Sequence, residues 1–348
     1  MRAGKGGCAL VKLSIAEIQD KIIMHGRCAL YHDMLNVDWV GAGLSLRFFG
    51  DSIRVFFETD AYKLNPADKD PIYVYSEIDG IAQKFAIMDS KEVLVIDGLE
   101  NKEHTFKIMR ITELFFPEQY LFISGIDFGK KGIDALLKTP PAPGMRFDFY
   151  GDSITNAYAS LTDPITNEKM QCNNDYSVSY ANQTALSFHA DAYVCAVSGH
   201  GIVSVWDGDR SEPMKNYYKQ KSRHLPIEMD FSKKPDLIVI ALGTNDFAAG
   251  VSDDEMRKGM LAFIQMIRQD MPDTDIIWIY GMMTNGYCDM MQSLFEDIKK
   301  SDMHFYSLHI NIVEPEQEEV GGDGHPNRKG QKRIADELTA FIRSELNL

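Results

Sequence analysis

The sequence predicts two domains in tandem: an all-β sandwich of jelly-roll type, then an α/β domain with a parallel sheet covered by helices on both faces. Three observations predict this. Residues 26 to 128 alternate apolar and polar with a period of two. Residues 138 to 144 (KTPPAPG) carry prolines at a density that favours an extended connector. Beyond them, short apolar runs alternate with amphipathic segments. The boundaries expected are 14–137 for the sandwich, 138–144 for the linker and 145–348 for the α/β domain.

In the first half, Leu44–Phe48, Ile53–Glu58, Ile72–Tyr75, Lys84–Ile87, Val93–Ile96, His104–Arg110 and Tyr120–Ile123 read as strands. Asn65-Pro66, Asp79-Gly80 and Asp97-Gly98 separate them as turns. Many short strands at such spacing suggest a sandwich. In the second half, Met145–Tyr150 reads as a strand, Tyr176–His189 as a helix and Ala192–Val197 as a strand. Asp236–Leu242 is almost wholly apolar, as a parallel strand buried on both faces should be. Ser252 and Glu255 form a capping box before a helix with Met256, Met260, Phe263 and Ile267 on one stripe. Strands at Asp275–Tyr280 and Phe305–Ile310 follow, with helices over Tyr287–Lys300 and through Ile334, Leu338, Phe341, Ile342 and Leu346. Trp278, between Ile277 and Ile279, reads as core.

A formal net charge of −15 on 348 residues argues against nucleic acid and anionic membranes as partners. No apolar run is long enough to span a bilayer. Arg2 and Lys5 precede the run Cys8–Val11, too short for a signal-peptide core, so the chain reads as cytoplasmic; a secreted protein lacking its leader would read the same. The five cysteines show no CxxC or zinc-like spacing and read as reduced, packed thiols. The nine histidines form no HExxH, and no metal site is expected.

Four short motifs fall at strand ends or in loops, where open parallel sheets place their sites. Gly151-Asp152-Ser153-Ile154 follows the first strand, Ser198-Gly199-His200-Gly201 the second and Gly243-Thr244-Asn245-Asp246 the third, while Asp323-Gly324-His325-Pro326 precedes the last helix. Together they supply the parts for acyl transfer. A serine hydroxyl needs a base to take its proton, and an imidazole titrates near neutrality. The Ser153 and Gly199 N–H groups and the Asn245 side chain would hold the oxyanion. Asp152 reads as a structural member of its turn, and Asp246 as an acceptor for nearby loop backbone. Gly50-Asp51-Ser52-Ile53 repeats the first tetrapeptide between two β-like runs and reads as a hairpin turn, with Ser52 inert.

GDSI, an isolated glycine, GTND and a late DxH-Pro in this order resemble the four blocks of the SGNH (GDSL-like) hydrolases, over roughly residues 145 to 348. The resemblance implies a flavodoxin-like SGNH domain with Ser153, Gly199, Asn245 and His325 as the namesake positions. Gly26-Arg27, Asp97-Gly98 before His104-Thr105-Phe106, and Ser198 to Ile202 resemble carbohydrate esterase family 2, which removes acetyl groups from sugars. The sequence departs from the superfamily in one place: Gly322, not an aspartate, stands three residues before the histidine. Either Asp323 completes a triad or a backbone carbonyl orients His325. His200 and Trp206 are the candidate sugar contacts. The reading is an acetyl esterase on carbohydrates needing no cofactor or metal, with an acetylated sugar or oligosaccharide as its partner. The alternatives are an SGNH lipase or thioesterase acting on longer acyl groups, and a carbohydrate-binding protein with little turnover. The oligomeric state and the role of the first domain stay open.

Overall fold

The structure, a computed structural model, describes residues 11–61, 71–139, 141–163, 171–346 and 348. Arg2, Lys5, the apolar residues Cys8 to Leu10, the turn Asn65-Pro66 and Pro140 lie outside them.

After a one-turn helix, α1 (Ile15–Ile18), the described residues of the first half form ten strands. They are β1 (Ile23–His25), β2 (Ala29–Tyr31), β3 (Met34–Asn36), β4 (Gly43–Gly50), β5 (Ile53–Glu58), β6 (Ile72–Ile78), β7 (Ile81–Ile87), β8 (Val93–Ile96), β9 (Lys102–Arg110) and β10 (Phe122–Asp127). They form two five-stranded antiparallel sheets, in the orders β1-β4-β9-β6-β7 and β2-β3-β10-β5-β8. Successive strand side chains point to opposite faces. Leu44, Leu46, Phe48, Phe106 and Ile108 from one sheet therefore meet Ile53, Val55, Phe57 and Ile123 from the other in one core. The turn at Asp79-Gly80 has φ of 51° and 82°, the double left-handed conformation that closes a two-residue hairpin.

One expectation is corrected. Gly50-Asp51-Ser52-Ile53 is not a hairpin turn, because β4 and β5 lie in different sheets. The chain crosses from one sheet to the other there, and Phe48 and Ile53 enter the shared core from opposite sides. The Ser52 hydroxyl donates to Asp51.

The second half holds β11 (Met145–Gly151), α2 (Ser153–Asn156), α3 (Tyr180–Ser187), β12 (Ala190–Ala196), β13 (Leu237–Ala241), α4 (Thr244–Ala248), α5 (Asp253–Asp270), β14 (Asp275–Tyr280), α6 (Cys288–Lys299), β15 (Phe305–His309) and α7 (Arg328–Glu345). Its sheet is wholly parallel, in the order β12-β11-β13-β14-β15. Alternate strand residues serve the two faces. Phe149, Val239, Ile277 and Ile279 pack under α3 and α7. Tyr150, Ile238, Ile240, Ile276 and Trp278 pack under α5 and α6. The helix expected over Tyr176–His189 is shorter. Asp175 accepts from the Ser177 N–H, which closes a separate turn, and Ser179 then caps α3.

The halves share buried surface on both sides of the linker. Arg27 is fully buried and donates to the carbonyls of Tyr218 and Gln220, both at 3.0 Å, and to the Tyr150 hydroxyl at 2.8 Å. Ile111, Val40 and Met109 join the core under α3.

Candidate active site

The strand order places β11 between β12 and β13, so the connections leaving β11 and β13 diverge and open a crevice at their carboxyl ends. Ser153 stands at that crevice, two residues past β11. Gly151 makes the turn possible, since a Cβ there would come within 1.9 Å of Thr155 Oγ1. Asp152 caps α2 by accepting from the Ile154 N–H at 3.0 Å. Ala157 ends α2 in the left-handed region, and the Tyr158 N–H returns to the Ser153 carbonyl.

Ser153 is 8% exposed, and its Oγ lies 2.7 Å from His325 Nε2. The other ring nitrogen, Nδ1, lies 3.1 Å from the backbone carbonyl of Asp323. A carbonyl only accepts, so Nδ1 carries the hydrogen and Nε2 of the neutral ring presents its lone pair to the serine. Of the two orienting groups the sequence left open, the Asp323 carboxylate and a backbone carbonyl, the carbonyl is the one at the ring. That carboxylate accepts from the Tyr158 hydroxyl at 3.0 Å. The backbone explains the difference, because Asp323 takes φ 50° and ψ 28°, which turns its carbonyl toward the ring. Tyr158 also packs edge-on against His325, with ring centroids 4.7 Å apart. Burial, and then the bond to Asp323, raises its phenol pKa, so it stays a donor.

The three expected oxyanion donors gather beside this pair. Gly199 has φ 79°, and a Cβ there would meet the Trp206 ring at 2.7 Å. Among the described residues, neither the Ser153 nor the Gly199 N–H donates to a protein acceptor. Asn245 Nδ2 donates to Asp152 Oδ2 at 3.1 Å and to the His200 carbonyl at 3.0 Å, so one amide joins the first three motifs. Asp246 accepts from the N–H groups of Ile202, Val203 and Ser204, the structural role expected of it. Burial raises both aspartates, Asp152 up to about 7; backbone N–H bonds work against the rise in each.

The two candidate sugar contacts flank the glycine. Trp206 is 57% exposed, and its backbone N–H donates to the Gly199 carbonyl at 2.8 Å. His200 is half-buried, donates from Nδ1 to the Ser198 carbonyl at 3.0 Å and packs edge-on against Tyr217. Burial lowers its pKa, so it stands neutral.

Two features escaped the sequence reading. Tyr158 carries no motif. Its signal would have been its place just past the serine turn. The second is a further Ser–His–Asp arrangement between the halves, in which His25 lies 2.7 Å from the Ser45 hydroxyl and 3.3 Å from Asp191. Ser45 sits inside β4, paired on both sides with Ile23 and Lys107. A residue held in a sheet on both edges has no free loop backbone to offer an oxyanion. These contacts clamp the two halves.

A serine on a tight turn at a topological switch point, a carbonyl-oriented histidine and a glycine-asparagine donor set define an acyl-transfer hydrolase. The profile of the GDSL-like Lipase/Acylhydrolase family matches residues 149–333, and the chain belongs to that family. It is similar to the cellulase/esterase CelE of Acetivibrio thermocellus, 28% identical over 320 residues that make up 88% of this chain and 37% of that protein. It is 26% identical over 226 residues to an acetylxylan esterase / glucomannan deacetylase of Cellvibrio japonicus, over 63% of this chain and 58% of the relative. The matched region thus spans well under two thirds of either relative.

Among solved structures, a family two carbohydrate esterase from Clostridium thermocellum in complex with cellohexaose superposes with a TM-score of 0.84. It is 24% identical, over 94% of this chain and 99% of that one. An acetyl xylan esterase from the rumen bacterium Butyrivibrio proteoclasticus superposes at 0.85 with 21% identity, over 97% and 99%. Both halves therefore share the two-domain fold of those enzymes.

Proposed function

We propose that the protein is a serine esterase that removes O-acetyl groups from carbohydrates. In this reading Ser153 Oγ attacks the ester carbonyl while His325 Nε2 takes its proton. The tetrahedral oxyanion is held by the N–H groups of Ser153 and Gly199 and by Asn245 Nδ2. The asparagine hydrogen now on the His200 carbonyl has to turn or be shared, since both of its hydrogens are engaged beforehand. His325 then returns the proton to the departing sugar oxygen. That leaves an acetyl-serine, which water cleaves by the same route reversed. Trp206 offers an exposed ring beside the donor set, where a pyranose face can stack.

The observation that carries the reading is the 2.7 Å contact between Ser153 Oγ and a histidine whose tautomer the Asp323 carbonyl fixes. The named activities of the relatives support acetylated carbohydrate as the substrate class. The test is acetate release from 6-O-acetylated glucose or mannose by wild type and by Ser153→Ala. Release by wild type and its loss in the variant are expected. Cleavage of octanoyl esters with no acetate release would overturn the acetyl assignment, and equal rates for the two proteins would overturn Ser153 as nucleophile.

A further inference from the structure

The reacting groups all come from the second half, yet the acceptor that ties two of their motifs together comes from the first. Glu113 lies in the segment that leaves β9 and enters the second half. There the Tyr176 N–H donates to the Ile111 carbonyl at 3.0 Å, Gln171 Nε2 to the Glu113 carbonyl at 3.0 Å and Arg223 Nη1 to the Leu114 carbonyl at 2.8 Å. Arg110, wholly buried, fixes the segment's shape by donating to the carbonyls of Thr112, Glu113 and Gln119.

The Glu113 carboxylate is buried, the residue being 4% exposed. Oε2 accepts from Asn156 Nδ2 at 2.9 Å and from the Ser198 N–H at 3.0 Å, and Oε1 accepts from the Ser198 hydroxyl. Asn156 closes α2, which Ser153 opens. Ser198 immediately precedes Gly199. The peptide that carries the Gly199 N–H is therefore gripped from both ends. Glu113 holds the N–H and hydroxyl of Ser198, and His200 Nδ1 holds its carbonyl. A buried carboxylate satisfied by three donors is a stiff anchor, because releasing any donor strands a buried polar group.

We infer that Glu113 is a positioning residue: it locks the nucleophile turn to the Gly199 loop, sets the span of the oxyanion hole, and makes the β-sandwich half a working part of the hydrolase centre. This rests on the esterase reading above. Leu at 113 keeps much of the bulk but offers no acceptor, so the Asn156 amide and both Ser198 donors lose their partner. A small misplacement of an oxyanion donor costs turnover more than binding.

The test uses the full chain and 4-nitrophenyl acetate, which reads the serine chemistry without depending on the sugar. For Glu113→Leu, kcat should fall by about 10- to 100-fold with KM within about threefold of wild type, and with the melting temperature tracked alongside. Ser198→Ala should lower kcat less, and the double variant should lose less than the product of the two factors, as expected for groups in one contact. A folded Glu113→Leu protein with wild-type kcat overturns the inference, as does a loss carried by KM alone or strictly multiplicative losses. If Glu113→Leu does not fold, Ser198→Ala decides: an unchanged kcat overturns the inference, and a lowered kcat at constant KM upholds it. Failure of wild type itself to cleave the ester, or full activity in Ser153→Ala, would instead strike the esterase reading.

Discussion

His325 is held by a main-chain oxygen where related chemistry often uses a carboxylate, and the difference is energetic as well as geometric. A carbonyl fixes the tautomer as firmly as an aspartate does, but it carries only a partial charge to set against the imidazolium formed during attack. Asp323→Asn leaves that carbonyl in place and tolerates the left-handed backbone. Its kcat on an acetylated sugar should therefore stay within about tenfold of wild type, far from the roughly 10⁴-fold loss that follows when a true triad acid is replaced. Steady-state kinetics of the variant checks this, and a loss above about a thousandfold would return the carboxylate to the base. The sequence carried Ser153 and His325 clearly, because each sits in a short motif at a strand end or before a helix. It left the orienting group open, because carboxylate and carbonyl belong to the same residue and only its φ and ψ decide between them. Glu113 was illegible for a different reason: 85 residues separate it from Ser198, and no local pattern marks a loop that crosses to another domain.

Where the chain leaves β11, β12 and β13, buried carboxylates brace it. Asp152 braces Asn245, Glu113 braces Ser198, and Asp246 braces the backbone from Ile202 to Ser204. Burying three acids this close together moves protons. With its carboxyl raised from 3.8 to about 7, Asp152 binds a proton more tightly in the folded chain than in the unfolded one. Its contribution to stability is therefore complete at low pH and is lost as pH rises from about 4 through 7. Asp152→Asn cannot ionise, so its melting temperature should improve relative to wild type across that window. Thermal melts at pH 4.5 and 7.5 measure it, and a gap that widens against the variant as pH rises would count against this assignment. The elements themselves were largely legible. Alternation gave β4, β5 and β9, and the Ser252 box gave the start of α5. The turn at Ser52 misled because a period-two pattern shows which residues face a core, and both sheets of a sandwich face the same one.

Across the whole molecule, the boundary at the linker divides the sequence more cleanly than it divides the packing. The guanidinium of Arg27 and the carboxylates of Asp38 and Glu113 are buried in the first half, with partners in the second. Removing the sandwich would leave those partners, and the apolar surface around Tyr150 and Tyr176, open to water. Residues 138–348 expressed alone should be insoluble or protease-sensitive, and the intact chain should melt in a single calorimetric transition. Two separated transitions, or a stable active fragment, would show that the halves fold independently. The clamp at this seam has a wider consequence. Ser45 meets His25 at the same 2.7 Å that joins Ser153 to His325, and it has an aspartate in line behind the histidine besides. A template that recognises hydrolases by the spacing of three side chains would rank this set above the pair proposed for catalysis. What distinguishes them is the main chain around the serine, laddered into a sheet in one case and turned loose at a strand end in the other.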